Sequence, residues 1–287
     1  MRVGVHVPVA WGLRRAARHA RSLGCECLQI FARNPRGWRS RVVAEEEAAE
    51  FRDFLTRFDI SPLVVHASYL VNLAGPDRAL RERSLRSVLD DMGRAAALGG
   101  QAVVVHPGHY MDETPAAGLR TLAASIRRLI RDGPESVDIL LENTAGRGSE
   151  IGAGWEEFSE VLDRLGGEAR VGVCFDTCHA HAAGHRLDGP RWVGRALREF
   201  AAALGMGRLR LIHLNDSRGP AGSRRDLHEH IGLGTIGDRG LGAFVRRREL
   251  RDRCAILETP INRPGDDRRN LNRVRGLMRS QPRVKPT

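Results

Sequence analysis

Six short apolar runs in this chain each close on a side chain able to bind metal, and that repetition constrains the fold more than any other feature. The runs end at His66, His106, Glu142, Asp176, His213 and Glu258. Each has the length and β-branched content of a buried parallel strand, and each is followed by a turn or loop signal such as Pro107-Gly108, Asn143 or Pro260. Parallel strands that end in His, Asp and Glu gather those groups at one end of a sheet or barrel, where α/β proteins keep their chemistry.

Strands are expected over 2–7, 28–31, 63–66, 102–106, 138–142, 171–176, 209–214 and 255–258. Helical patterns fall between them, at about 12–23, 45–58, 77–98, 116–131, 155–165, 191–204, 241–250 and within 267–279. Eight strand–helix units without a break in composition predict an α/β fold, a closed (β/α)₈ TIM barrel. The 287 residues suit one such domain, spanning 1–280. An open doubly wound sheet fits less well. No G-x-G-x-x-G follows a strand, and ligand-type residues follow six strands rather than cluster at one switch point. The basic stretch 281–287 has no apolar period and is expected to be a disordered tail.

No stretch is long and apolar enough for a transmembrane helix. Met1 runs straight into Val3-Gly4-Val5 without the apolar core of a signal peptide, so a cytoplasmic protein is expected. Five cysteines, an odd number, argue against a disulfide framework. They read as small buried hydrophobes, with Cys178 kept as a minor ligand candidate beside Asp176 and His179. No segment reads as a dedicated oligomerisation helix, and a monomer is expected. The net charge of +11 favours a polyanionic partner.

The candidate metal ligands are His66, His106, Glu142, Asp176, His179, His213, Asp226, His228 and Glu258. Any one of them alone reads as a packing or hydrogen-bonding residue. Chance rarely puts such residues after so many buried strands. Zinc takes about four N or O ligands, so nine donors exceed one ion and fit two or three. Asp176 and His179 are one turn of chain apart. Asp226 and His228 share a face of an extended segment. His230 lies two residues further on, and periodicity does not choose between it and His228. His109, His181 and His185 read as supporting or surface residues. Three divalent ions outweigh four carboxylates, so the cluster would attract an anion. Clustered divalent ions are a recurrent device for phosphoryl displacement, which makes a nucleic-acid phosphodiester the economical substrate.

Over nearly its whole length the chain resembles the endonuclease IV family of apurinic/apyrimidinic (AP) endonucleases. The resemblance rests on 64–72 (His66 to Asn72), His106-Pro107-Gly108, 140–146 around Glu142, 175–180 around Asp176 and His179, and 213–217 from His213. It continues through Arg225-Asp226-Leu227-His228 with Gly232, and Leu257-Glu258-Thr259-Pro260. It implies a TIM barrel with three Zn²⁺ ions per chain, with Mn²⁺ as a substitute, and it favours His228 over His230. One ion would take His66, His106 and a shared Glu142. A second would take Glu142, Asp176, His213 and Glu258, and a third His179, Asp226 and His228. Glu258 and Glu142 would be the catalytic carboxylates, with Glu258 also orienting the nucleophile.

The implied substrate is double-stranded DNA. The family hydrolyses the phosphodiester 5′ to an abasic site, leaves a 3′-hydroxyl and trims blocked 3′ ends. The resemblance places Arg36, Tyr69 and Leu70 in loops that enter the minor groove, an Arg beside an aromatic and apolar wedge. The loop from Val7 to Gly12 departs from the family, with Trp11 where a Gly is usual. The rival reading is a metal-dependent sugar isomerase or epimerase of the xylose isomerase type. The absence of any Lys before Lys285 disfavours a Lys-dependent version.

Overall fold

The computed structural model of the protein describes residues 1–38 and 43–279. Among the described residues the strands are, in chain order, β1 (Arg2–His6), β2 (Cys27–Phe31), β3 (Leu63–His66), β4 (Ala102–Val105), β5 (Asp138–Glu142), β6 (Val171–Asp176), β7 (Leu209–His213), β8 (Asp216–Ser217), β9 (His228–Glu229) and β10 (Cys254–Leu257). Strands β1 to β7 and β10 close a parallel barrel in the order β1-β10-β7-β6-β5-β4-β3-β2. β8 and β9 form a small antiparallel pair outside it. The helices are α1 (Leu13–Leu23), α2 (Glu45–Arg57), α3 (Arg78–Ala97), α4 (Pro115–Asp132), α5 (Trp155–Arg164), α6 (Thr177–Ala183), α7 (Pro190–Leu204), α8 (Gly237–Val245) and α9 (Asp266–Arg279). The expected (β/α)₈ barrel is the observed one. The proposed tail, 281–287, lies outside the described residues.

Alternation along the strands explains how the barrel makes its site. Val5, Leu28, Val65, Val105, Leu141, Phe175, Ile212 and Leu257 belong to the large core between barrel and helices. Their neighbours Cys27, Val64, Val104, Leu140, Cys174, Leu211 and Ile256 form a separate cluster inside the barrel. Side chains repeat on one face every second residue. Two positions on from the inner cluster stand Gln29, His66, His106, Glu142, Asp176, His213 and Glu258. The inward register that fills the barrel with apolar atoms therefore ends in polar atoms at the carboxyl mouth. A slip of one residue would turn the strand-end His, Asp and Glu side chains toward the helices and bury them in that apolar layer. Fully burying one such Leu or Val is worth about 1.5–3 kcal/mol.

Inside the barrel space is scarce. A Cβ on Gly4 would lie 1.9 Å from the Cys27 carbonyl oxygen, so this inward position of β1 admits no side chain.

Two departures from the sequence expectations bear on the site. The chain after Asp176 is a helix, α6, rather than a simple turn. Asp176 caps it, its carboxylate accepting the His179 backbone N–H at 2.7 Å. The polar stretch after β7 contains the β8–β9 pair, whose strands are too short for a periodic signal.

Candidate metal centre

All nine expected ligands meet at the carboxyl mouth of the barrel. Their donor atoms form overlapping groups: His66, His106 and Glu142; Glu142, Asp176, His213 and Glu258; and His179, Asp226 and His228. The strand-borne members His66, Glu142, Asp176 and His213 are buried, as is His179. The Glu258 side chain is 16% exposed and that of Asp226 57%. Further groups of the same kind include Cys174 and Cys178. Burial pushes each thiol up to about 12, and the thiolate is the form that binds metal. Cys178 nonetheless lies in one such group, with Asp176 and His228. All five cysteines are free.

The imidazoles are oriented by what they touch on their outer edges. His66 Nδ1 lies 2.7 Å from the Ala67 carbonyl, His179 Nδ1 2.9 Å from that of Asn143, and His228 Nδ1 3.0 Å from that of Glu258. His213 Nε2 lies 2.8 Å from Gln29 Oε1. A carbonyl only accepts, so each ring donates its N–H there and a neutral ring has only a lone pair on the inner nitrogen. Those inner nitrogens face carboxylate oxygens. His66 Nε2 is 3.1 Å from Glu142 Oε2, and His213 Nδ1 is 3.0 Å from Glu142 Oε1 and 3.1 Å from Glu258 Oε2. His179 Nε2 and His228 Nε2 are 3.0 and 3.3 Å from Asp226 Oδ1. Both of these nitrogens are buried and form no hydrogen bond.

Lone pairs set against carboxylates need a positive charge between or upon them. Either the rings are protonated or a cation sits among them. Burial opposes charging His213 and His179. In the metal-free protein the groups around them win: Cys174, Glu142 and Glu258 raise His213 well above its ordinary 6.5, and Asp176 and Asp226 do the same for His179. Burial likewise opposes ionising Glu142 and Glu258, yet His213 and His106 hold Glu142, and His213 and His6 hold Glu258, well below 4.5. A metal ion fits the same arrangement. Ligand bonds of about 2.0–2.1 Å in a tetrahedron set donor atoms roughly 3.3 Å apart. The separations quoted above, with 3.4 Å for His106 Nε2 to Glu142 Oε2, surround that value. The N/O donor set suits zinc.

Sequence reasoning did not find the groups that hold these ligands. Gln29 donates to Glu258 Oε1 at 2.6 Å and to His6 Nδ1 at 3.0 Å while accepting from His213. Asn215 donates to Asp176 Oδ2 at 2.7 Å and accepts the Glu258 backbone N–H at 2.8 Å. Asn143 brackets Asp176 through that residue's own N–H and carbonyl. One signal was available: Gln29 is a polar residue in the inward register of a buried strand. Of the other histidines, His109, His181, His185 and His230 join none of these groups. His230 hydrogen-bonds to Asn270 instead.

Arg36, Tyr69 and Leu70 stand at the rim of the same mouth. The backbone N–H of Tyr69 and the Ser68 hydroxyl both donate to the Pro35 carbonyl, at 3.1 and 2.7 Å, tying the two loops together. Tyr69 is 62% exposed, so it does not cap the core. Trp38 is half-buried beneath Arg83, 4.5 Å away. The exposed large apolar side chains among the described residues are Trp11, Tyr69, Leu70, Met111, Leu227, Leu233 and Ile261. All stand on loops that leave the carboxyl ends of barrel strands.

Barrel and clusters together define a class: an α/β-barrel enzyme whose mouth could house a polynuclear metal centre. A family model described as a xylose isomerase-like TIM barrel matches residues 17–280. A probable endonuclease 4 of Methanoculleus marisnigri is 40% identical over 276 residues, covering 96% of this chain and 98% of that one. Its counterpart in Halothermothrix orenii is 38% identical over 260 residues, covering 91% and 94%. The crystal structure of endonuclease IV from Thermus thermophilus superposes with a TM-score of 0.86 at 37% identity, covering 97% and 99%. The chain belongs to the endonuclease IV family of nucleases. A D-tagatose 3-epimerase-like protein, 17% identical with a TM-score of 0.72, shares the fold alone.

Proposed function

We propose that this chain is a zinc-dependent DNA-repair endonuclease. It hydrolyses the phosphodiester 5′ to abasic sites in duplex DNA, leaves a 3′-hydroxyl and also cleans blocked 3′ ends. The observation that carries the reading is the convergence of nine N and O donors with inner imidazole nitrogens turned onto carboxylate oxygens. Three Zn²⁺ ions, replaceable by Mn²⁺, would be held by His66, His106 and Glu142; by Glu142, Asp176, His213 and Glu258; and by His179, Asp226 and His228. Bound there, they would supply Lewis acidity toward phosphate oxygens and lower the pKa of water.

The chain's own residues do the rest. Glu142 offers one oxygen to His66 and the other to His213, and so joins two clusters rigidly. Glu258 is the solvent-facing member of the central group, and Gln29 fixes one of its oxygens. Glu258 therefore orients the attacking water in line with phosphorus. Arg36, Tyr69 and Leu70 enter the minor groove beside the lesion. An abasic nucleotide has no base to unstack, so holding it out of the duplex costs less than extruding an intact one. The excess of 46 Lys and Arg over 35 Asp and Glu attracts the duplex. The protein acts as a monomer. No helix among the described residues is long and apolar enough to cross a membrane.

Incision of a duplex carrying one tetrahydrofuran residue, coupled to metal analysis of the purified protein, tests the reading. Cleavage 5′ to the analogue with about three zinc ions per chain is expected. One or two ions with sugar-stimulated epimerisation and no incision would replace it by the isomerase reading.

A further inference from the structure

The segment His213-Leu214-Asn215-Asp216-Ser217 contains a carboxylate that the metal clusters leave aside. Asp216 is fully buried and belongs to none of them. Its Oδ1 accepts the backbone N–H groups of Ser217, Ile236 and Gly237 at 2.9, 3.1 and 3.2 Å. Its Oδ2 accepts those of Gly232 and Gly234 at 2.9 and 3.1 Å. Three of these five amides come from the loop that directly follows Asp226 and His228, and a fourth, that of Gly237, opens α8 behind it.

Other contacts seat the same loop on the same short segment. Asp216 pairs with Glu229 and Ser217 with His228 across the β8–β9 ladder. The Arg218 N–H donates to the Leu227 carbonyl at 2.9 Å, and that of Thr235 to the Ser217 carbonyl at 2.7 Å. A Cβ on Gly234 would lie 2.4 Å from the Ser217 carbonyl oxygen and 2.5 Å from Asp216 Oδ1, so the packing there is closed. Asp226 and His228 have no place in the barrel ladder. Their position depends on this hub.

We infer that Asp216 is the positioning residue of the outermost metal site: its buried carboxylate assembles the loop that presents Asp226 and His228. That site then gains and loses its ion separately from the two held by barrel strands. The inference rests on the three-ion reading above. Asn at this position has one oxygen in place of two. Whichever way the amide turns, two or three of these five N–H groups face an NH₂ instead of an acceptor. Removing such outer partners typically lowers metal affinity about 10–100-fold.

The test is zinc content of the full-length chain after dialysis against graded chelator, for wild type, Asp216→Asn and Gly234→Ala. Wild type is expected to hold about three ions and Asp216→Asn about two, with the strand-borne pair as chelator-resistant as before. Gly234→Ala disturbs the same hub without changing charge and should do the same. A generally destabilised barrel would instead release all ions together. Either that outcome, or a variant keeping the third ion as tightly as wild type, overturns the inference. A wild-type chain that never binds a third ion overturns the three-ion reading itself. Should Asp216→Asn fail to fold, hydrogen exchange on wild type decides. The amides of Gly232, Gly234 and Ile236 should gain protection with the third equivalent of zinc, and unchanged protection overturns the inference.

Discussion

The two halves of the site are built by different physics. His66, Glu142, Asp176 and His213 sit on barrel strands, buried, and the parallel ladders set their positions. Asp226 sits on a loop and His228 in the two-residue strand β9 that follows it, both partly exposed, and that short ladder with a web of polar contacts sets their positions. Arg36, Tyr69 and Leu70 are loop-borne as well. The strand-borne half inherits its precision from the core, because moving a ligand there means repacking the barrel. The loop-borne half depends on hydrogen bonds that single substitutions remove.

Mutation separates the two halves. The largest effect is expected from the hub of the strand-borne half. Glu142→Gln should lower kcat/KM by more than the ~10⁴-fold ceiling of a single acid–base group, because it weakens two clusters at once. Near-normal turnover with full metal content would contradict that role. Glu258→Gln should reduce kcat by ~10²–10⁴-fold while fold and DNA affinity persist. Single-turnover cleavage with full zinc loading is the check, and undiminished cleavage removes Glu258 from the chemistry.

Gln29→Ala leaves every ligand in place but frees Glu258 and His213. A loss of about 10–100-fold in metal affinity or activity is expected. Titration with zinc against a chelator measures it, and wild-type affinity together with wild-type activity would deny Gln29 a positioning role. On the loop side, Tyr69→Ala should raise KM for the abasic duplex roughly 5–150-fold with kcat little changed, as loss of about 1–3 kcal/mol of contact requires. An equal fall in kcat would place Tyr69 in the chemistry instead.

The smallest effect is a trend with pH. Without metal, His179 and His213 titrate above their ordinary 6.5, so their contribution to stability is complete below 6.5 and fades as pH rises through the elevated values. Glu142 and Glu258 titrate below 4.5, so theirs is present above 4.5 and fades as pH falls through the depressed values. Metal needs the imidazoles neutral, so its binding releases protons and strengthens with pH. The thermal midpoint of zinc-loaded protein minus that of chelated protein should therefore widen from about pH 6 to 8. A gap that narrows over that range would mean that these histidines are not ligands.

Much of the strand-borne half could be read from the chain. Val64-Val65-His66 shows in three letters both the buried apolar run and the group at its end, and the same holds around Glu142, Asp176, His213 and Glu258. Where the signal was local, the elements came out within a few residues, as in β3, β5 and β6. What escaped had no period to reveal it. β8 and β9 are two residues each, and α6 is seven residues that begin on the capping carboxylate of Asp176. The importance of Gln29, Asn143 and Asn215 lies in partners dozens of positions away, and that of Asp216 in amides 16 to 21 positions on.

The chain alone specifies a closed α/β barrel and brings its strand-end candidate ligands to one mouth, because eight apolar runs of strand length alternate with helical patterns and six of them end in His, Asp or Glu. Only the tertiary structure decided how each imidazole turns, which carboxylate oxygen it meets and what pins the loop of Asp226 and His228. Those choices are made by hydrogen bonds between residues distant in the chain. No local pattern encodes them until the barrel has closed.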